Sequence, residues 1–369
     1  MTVIIVLKGD LVQALMFRGP MDLVWEEVDT PAIRESRDAL VRPLAVARCD
    51  LDPAIAIGLY PMKGPFAMGH EMVGEIVGLG AAVKGFNPGD KVIVPFQLSC
   101  TRCDPCKRGQ TNACSEVASG TAFGLGPHGG VDLGGALAEC VRVPWADVML
   151  IPLPANVDPV AAAGIPDNVS DGYRCVAAPL RERPASDVLV VGGLAPSVGL
   201  YAVMSAVALD ARSVVYVDDD ADRLALAASL GAEVVDARHA WSNLRLDRKF
   251  PIVVDANVLD AGRNLAFRSV EPCGTVTSVS GGASPISSVP LQKMYNKGVR
   301  YEIGRVHALA TARTVLDLVV DGTLDPARIV SSIVPFSDAV AGMTAPGAKV
   351  VFVNDLARSE EHTSELQSP

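Results

Sequence analysis

The chain has no excess of basic side chains. Its 369 residues carry 32 Lys and Arg against 42 Asp and Glu, a formal charge of −10, and a nucleic-acid binder would show a basic face. That class is set aside. Mean hydropathy is high at +0.30, yet the run of about 18 unbroken apolar residues that a bilayer span requires is missing. The most apolar stretch, Val198 to Leu209, is cut by Ser205 and ends at Asp210, and Val3 to Leu7 is too short for a signal-peptide core and lacks a basic lead-in. No membrane partner is expected, and the chain reads as cytoplasmic. Cysteine is also scarce. Eight in 369 residues cannot build a disulfide scaffold, and four of them crowd into fifteen positions, which in a reducing compartment points to metal.

What is present is enough apolar material for two cores. Hydrophobic residues make up 49% of the chain, and at roughly 150 residues per domain the length suggests two. The final segment, Arg358 to Pro369, is polar and aperiodic, and up to Ser368 it resembles a translated sequencing-library adapter. Removing its one Arg and three Glu changes the charge only from −10 to −8. Met1 to Val12 also reads as an extension, because the first strand with a clear partner begins near Gln13. From Gln13 to about Pro154, short β-rich runs alternate with Gly and Pro: Val24 to Val28, Glu75 to Val77, Lys91 to Val94, Ala138 to Val143 and Val148 to Ile151. From about Asp187 the rhythm becomes buried strand, glycine-rich turn and helix, repeated, which calls for a parallel sheet covered on both faces. A helix over Ala308 to Asp321 and a strand over Val350 to Val353 are placed back on the first domain. The expected class is α/β, with a β-barrel domain over 1–167 completed by 305–357 and a doubly wound domain over 168–304.

Cys100, Cys103, Cys106 and Cys114 lie in a loop of Thr, Arg, Asp, Pro, Lys and Gly with too little apolar content to pack on its own. Tetrahedral zinc would satisfy it, Cys-x-x-Cys letting two sulfurs reach one ion, with Arg102, Lys107 and Arg108 offsetting the charge. An iron–sulfur cluster, which also takes four thiolates, is the alternative. With all four positions filled, such a centre is closed and structural.

A second constellation pairs Cys49 with His70, 21 residues on, inside Gly69-His70-Glu71-x-x-Gly74. A thiolate and an imidazole suit zinc, although one Cys and one His alone say little. From Gln13 to about Leu356, with Cys49 and Asp52, the Gly-His-Glu segment, the four-cysteine loop, Gly135-Ala-Leu-Ala-Glu139, Val141-Arg-Val-Pro144 and the nucleotide fold, the chain resembles the zinc-containing medium-chain dehydrogenase/reductase family. The resemblance implies a GroES-like catalytic domain, a Rossmann cofactor domain, a catalytic and a structural zinc, and alcohol or polyol dehydrogenase activity. It implies that Asp167, six residues before Tyr173, completes a ligand set with Cys49 and His70. Asp167 also reads as a turn or cap residue. The same resemblance makes Glu71 an acidic neighbour or transient ligand, and Asp52 the carboxylate that fixes the tautomer of His70; a solvated loop acid is the plainer reading of Asp52. Val299 to Ile303 resembles the family's dimer strand, implying a homodimer or homotetramer, though an internal edge strand reads the same.

Val188 to Val191 followed by Gly192-Gly193-Leu-Ala-Pro-Ser-Val-Gly199 and an apolar helix has the order of a dinucleotide-binding βαβ unit. The spacing is not a strict Gly-x-Gly-x-x-Gly, and an ordinary glycine-rich connection is the alternative. Asp218 ends the next strand nineteen residues after Gly199, near the offset at which an acid accepts from the adenosine ribose. With Asp219 and Asp220 it favours NAD over NADP; Arg223 is the nearby cation that could reverse this, or merely an exposed helix charge. Two departures stand out. Leu51 occupies the position of the family's proton-relaying Ser or Thr, and Asp50 that of a phosphate-contacting Arg. A leucine cannot relay a proton, which leaves a carbonyl or enoyl reductase, or a catalytically silent relative, as alternatives to a zinc-dependent, NAD-linked alcohol dehydrogenase acting on a small molecule.

Overall fold

The computed structural model describes residues 3–4, 10–126, 132–238, 241–284 and 286–356, so the adapter-like tail lies outside it. The chain divides into two compact units. The first comprises the chain up to Asp167, His307–Val320 and the segment from Val330 on; the second comprises Asn168–Val306 and Asp321–Ile329. Residues 321–329, expected in the first domain, thus group with the second. A short 3-10 turn, Pro326–Ile329, packs there on the helix Pro196–Ala208, and Arg328 Nη2 donates to Ser229 O at 2.6 Å.

The first unit is built on a mixed sheet in the order Val330–Pro335, Lys349–Val353, Ala39–Ala47, Glu71–Leu79, Lys91–Val94, Ile151–Pro152. A smaller sheet joins Asp22–Asp29, Leu11–Gly19 and Phe66–Ala67. The central pair is antiparallel, with Ala47 opposite Glu71. Its strands are apolar on both faces, so the alternation that marks a half-solvated strand is absent, and only Glu75 to Val77 stands out in a strand that runs over nine residues. At Gly74 a Cβ would lie 2.4 Å from Val41 Cγ1, so the close approach of these strands demands glycine.

Three expectations are corrected. The first hairpin begins at Leu11, and Val3–Ile4 pairs antiparallel with Gly78 and Leu79, so the N-terminal extension contributes to the sheet. In the segment expected as strand over Ala138 to Val143, only Val141–Val143 is strand. Val148 lies in a helical turn, Ala146–Met149, because Trp145 adopts a left-handed backbone (φ 50°) and Arg37 grips Asp147 with two 2.8 Å bonds.

The second unit is a six-stranded, wholly parallel sheet: Glu233–Asp236, Ser213–Asp218, Asp187–Val191, Phe250–Asp255, Val270–Ser278, Arg300–Ile303. Taken by chain position the order is 3-2-1-4-5-6, the doubly wound arrangement whose ligands sit at the carboxyl ends of the strands. Its central strands are buried throughout, as the continuous Val-rich runs required. Pro196 opens the helix Pro196–Ala208 at a position where its missing N–H costs nothing.

Candidate functional site

Register brings Cys49 and His70 together. Cys49 follows the strand Ala39–Ala47 by two residues, His70 directly precedes Glu71–Leu79, and Ala47 faces Glu71 across the ladder. Gly69, at φ +90°, turns the chain there in a conformation that L side chains rarely adopt. Asp167 arrives on a single π-helical turn, Ile165–Val169, a feature that often marks functional positions. Its Oδ2 lies 3.5 Å from Cys49 Sγ and 3.4 Å from His70 Nε2. Zinc bonds of about 2.0–2.1 Å to N and O and 2.3 Å to S give tetrahedral edges of about 3.3 Å (N···O) and about 3.6 Å (S···O), so these spacings fit one ion. All three residues are buried, and with Glu71 their ligand atoms lie within 4.8 Å of one another.

The electrostatics ask for a cation. Burial and the nearby Asp167 push the Cys49 thiol well above its ordinary range. Burial opposes a charged His70, but Asp52, Asp167 and Glu71 outweigh it and push the imidazole up to about 9. The same acids that raise the imidazole would favour a dication among these groups, which would in turn favour the Cys49 thiolate. Asp52 is buried and accepts from Cys49 N at 2.9 Å, while its Oδ1 faces His70 Nδ1 at 3.7 Å. That is longer than a hydrogen bond, and neither atom has a hydrogen-bond partner. A shift of a few tenths of an ångström would join them and leave Nε2 toward Asp167. Leu51 begins the short helix Asp52–Ala56 and carries no proton to pass on.

Glu71 is held by a residue the motif reading missed. Lys349 Nζ, wholly buried, donates to Glu71 Oε1 at 2.8 Å, to Oε2 at 2.7 Å and to Arg48 O at 2.9 Å. Burial pushes the Glu71 carboxyl up, to about 8, with Lys349 acting against it. Arg48 is anchored in turn, its guanidinium donating to the carbonyls of Gly342, Met343, Ala345 and Gly347 at 2.6–3.3 Å. A lysine opening an otherwise apolar strand, Lys349-Val-Val-Phe-Val353, was the available signal, since a buried lysine needs an acid.

The four cysteines of the loop also converge, with ligand atoms within 4.8 Å and Cys103 Sγ 4.0 Å from Cys114 Sγ. Backbone amides point at the sulfurs: Cys103 N and Arg102 N at Cys100, Ser115 N at Cys103, Cys100 N at Cys114, all at 3.3–3.4 Å. Ser99 Oγ lies 3.1 Å from Cys106 Sγ. Burial pushes Cys114 up to about 12, whereas the hydrogen bond from Ser115 draws Cys103 down to about 6. Without a cation the cluster resists becoming four thiolates.

In the second unit the glycine-rich turn packs tightly. A Cβ on Gly192 would lie 2.3 Å from Asp218 Oδ2, one on Gly193 2.5 Å from Asn257 Nδ2, and one on Gly199 3.3 Å from Ala256 Cβ. Asn257, another residue the motif missed, donates Nδ2 to Gly192 O at 2.6 Å, and Leu194 N and Ala195 N donate to Asn257 O and Ala256 O. Asp218, expected to face the adenosine ribose, is buried at the end of its strand. Its oxygens accept from Tyr216 Oη (2.5 Å), Asp219 N (2.7 Å), Asp220 N (3.1 Å) and Arg223 Nε and Nη2 (2.9 and 2.5 Å). Arg223 is therefore an ion-pair partner rather than a free helix charge.

Residues 35–154 match the alcohol dehydrogenase GroES-like domain and residues 197–321 the zinc-binding dehydrogenase domain. A zinc-type alcohol dehydrogenase B of Aspergillus flavus is 30% identical over 345 residues, covering 89% of this chain and 77% of that protein. A medium chain reductase/dehydrogenase of Acremonium sp. is 31% identical over 290 residues, covering 75% of this chain and 96% of that one. The solved alcohol dehydrogenase TADH from Thermus sp. ATN1 superposes with a TM-score of 0.83 at 32% identity, covering 93% of this chain and 99% of that chain.

Proposed function

The chain belongs to the zinc-containing medium-chain dehydrogenase family, and on that premise we propose that Cys49, His70 and Asp167 hold a catalytic zinc while Cys100, Cys103, Cys106 and Cys114 hold a structural one. It is an oxidoreductase of the alcohol dehydrogenase type; the proposed reaction interconverts an alcohol or polyol with its aldehyde or ketone. The observation that carries this is the pair of distances about Asp167 Oδ2, which match a tetrahedron. When bound, zinc supplies Lewis acidity to a substrate oxygen and nicotinamide takes the hydride.

The protein's part is arrangement. Asp52 orders Cys49 N–H and faces His70 Nδ1, so the imidazole presents Nε2. Phe96, its ring 5.4 Å from that of His70, walls one side with an apolar surface. Lys349 holds both oxygens of Glu71, reserving the remaining position for substrate or water. Because Leu51 cannot carry a proton, the alcohol proton leaves through ordered water or through the substrate's own hydroxyls.

NAD is the proposed cofactor, with Gly192, Gly193 and Gly199 at its pyrophosphate. Arg223 cancels the charge of Asp218, and Asp219 and Asp220 remain as net negative charge against a 2′-phosphate. A homodimer or homotetramer is supported by the edge strand Arg300–Ile303 and by Tyr295, 86% exposed, on the helix Leu291–Lys297 beside it. No helix among the described residues is long and apolar enough to cross a membrane, and a thiolate cluster supports a reducing, cytoplasmic setting.

The test is NAD+-linked oxidation of a panel of primary, secondary and polyhydroxy alcohols by the zinc-loaded protein, with the reverse reaction on the matching carbonyls. Turnover of alcohols that disappears in His70→Ala supports the reading. Turnover confined to carbonyls or enones would favour the reductase, and absence of NAD binding in zinc-loaded protein would leave a silent relative.

A further inference from the structure

Asp167 and Asn168 are consecutive on one π-helical turn, Ile165–Val169, and the boundary between the two compact units falls between them. The Asp167 carboxylate lies beside Cys49 and His70 in the first unit. Asn168 is 3% exposed and belongs to the second unit, where its Oδ1 accepts from Ser197 Oγ at 2.9 Å. Ser197 is wholly buried and is the second residue of the helix Pro196–Ala208, which opens directly from the glycine-rich turn. With both groups shielded, water does not compete for this bond.

The parts on either side of the bond have little freedom. The π turn runs without a break into the helix Ser170–Glu182. At Gly172 a Cβ would lie 2.6 Å from Tyr201 Cβ and 2.7 Å from Ala202 N, so this helix lies directly against Pro196–Ala208. No side chain of Gly172 is there to absorb a displacement, and packed interiors transmit strain. The glycine-rich turn is tied down as well. Gly192 N donates to Val217 O at 2.8 Å, Ala195 N to Ala256 O at 3.1 Å, and Gly199 N to Ala195 O at 3.0 Å. A shift of the turn therefore carries Ser197 with it.

We infer that Asn168 and Ser197 are a positioning pair that sets the Asp167 carboxylate and the glycine-rich turn together, so that a pyrophosphate at the turn and a divalent cation at Cys49, His70 and Asp167 strengthen each other's binding. Ser197 acts through its helix and Asn168 through its chain neighbour. A nucleotide that orders the first turn of Pro196–Ala208 fixes Ser197, hence Asn168, hence the backbone that aims Asp167. The cation then meets a carboxylate whose ordering has already been met. Linkage makes the effect reciprocal. The inference rests on the proposed reading of both sites.

Chelator-competition titration of the full chain, with and without saturating ADP-ribose, tests it. ADP-ribose carries the pyrophosphate and brings no nicotinamide ring to the metal. The readout is the ratio of the two affinities for the zinc ion that is missing in His70→Ala. In wild type this ion should be held about fivefold or more tightly with ADP-ribose present, and ADP-ribose should bind tighter to the two-zinc protein by the same factor. Ser197→Ala should bring the ratio within about twofold of unity while the melting temperature stays within a few degrees. Ser205→Ala takes from the same helix a buried hydroxyl that meets no hydrogen-bond partner among the described residues, and should keep the wild-type ratio. Should Ser197→Ala fail to fold, Asn168→Leu, close in size and without the acceptor, decides in its place. A wild-type ratio of unity, or one that Ser197→Ala leaves unmoved, would overturn the inference. A wild type with a single zinc, or without affinity for ADP-ribose, would instead remove the metal or the cofactor reading beneath it.

Discussion

Lys349 and Glu71 form an ion pair that no water reaches, and its arithmetic is unforgiving. Removing Lys349 leaves a buried acid without the cation that opposes its desolvation, at a cost of about 3–5 kcal/mol. Lys349→Met should therefore lose stability in that range in chemical denaturation, and Lys349→Met with Glu71→Gln should recover about half or more of it, since the carboxylate is then gone. Recovery of nothing would show that Lys349 supports the fold by packing alone. His70→Ala lies next to Glu71 in the chain yet should behave in the opposite way, keeping the melting temperature within a few degrees while turnover falls by about a thousandfold or more. At this scale the sequence was legible for residues whose chemistry is rare in cores. The four-cysteine loop stood out because thiols at short spacing have few other uses, whereas Cys49 and His70, 21 residues apart, stood out only through the family resemblance of the Gly69-His70-Glu71 segment. Lys349, Arg48 and Asn257 did not, because each serves a partner far away in the chain, Lys349 and Glu71 being separated by 278 positions. Asp218 was legible as an acid at the end of a strand, whereas its contacts with Tyr216 and Arg223 were not, since they depend on how those side chains fold over it.

Elements carry the next set of consequences. The strands Asp187–Val191 and Ser213–Asp218 are tied at their start by Asp187, which accepts from Arg212 at 2.9 and 2.5 Å and from Ser213 Oγ at 2.8 Å. Arg212 above all holds the Asp187 carboxyl down, to about 2. A carboxyl depressed on folding adds stability that is complete above its unfolded value of about 3.9 and lost as pH falls through about 2. Because the Arg212 side chain is 68% exposed, the contribution is discounted to about 1 kcal/mol. Asp187→Asn should be less stable than wild type by about that amount in urea at pH 7, with the gap narrowing below about pH 4. A gap independent of pH would contradict the ion-pair origin. The four-cysteine loop is an element of its own kind, with few apolar contacts beyond its sulfurs. Cys103→Ser should lower the melting temperature by roughly 10 °C and reduce solubility, whereas equal unfolding by Cys103→Ser and His70→Ala would deny the two sites separate roles. Parallel strands were read correctly because their Val-rich runs are continuous. The turn Ala146–Met149 was misread as strand because its helical geometry comes from Trp145 and the distant Arg37, neither of which alters the local apolar pattern.

For the whole molecule, the proposed reading puts both candidate metal sites in the first unit and the dinucleotide in the second. The return of the chain to the first unit was foreseen from the helix near Ala308 and the strand near Val350, but the excursion of 321–329 to the second was not, since it depends on Arg328 meeting the carbonyl of Ser229. Metal content per chain asks the central question without reference to substrate or cofactor. Zinc counted by inductively coupled plasma mass spectrometry on dialysed protein should give two ions per chain for wild type, and one for a folded His70→Ala. One ion in wild type, unchanged by His70→Ala, would mean that Cys49, His70 and Asp167 hold no metal and that the chemistry assigned to them is wrong.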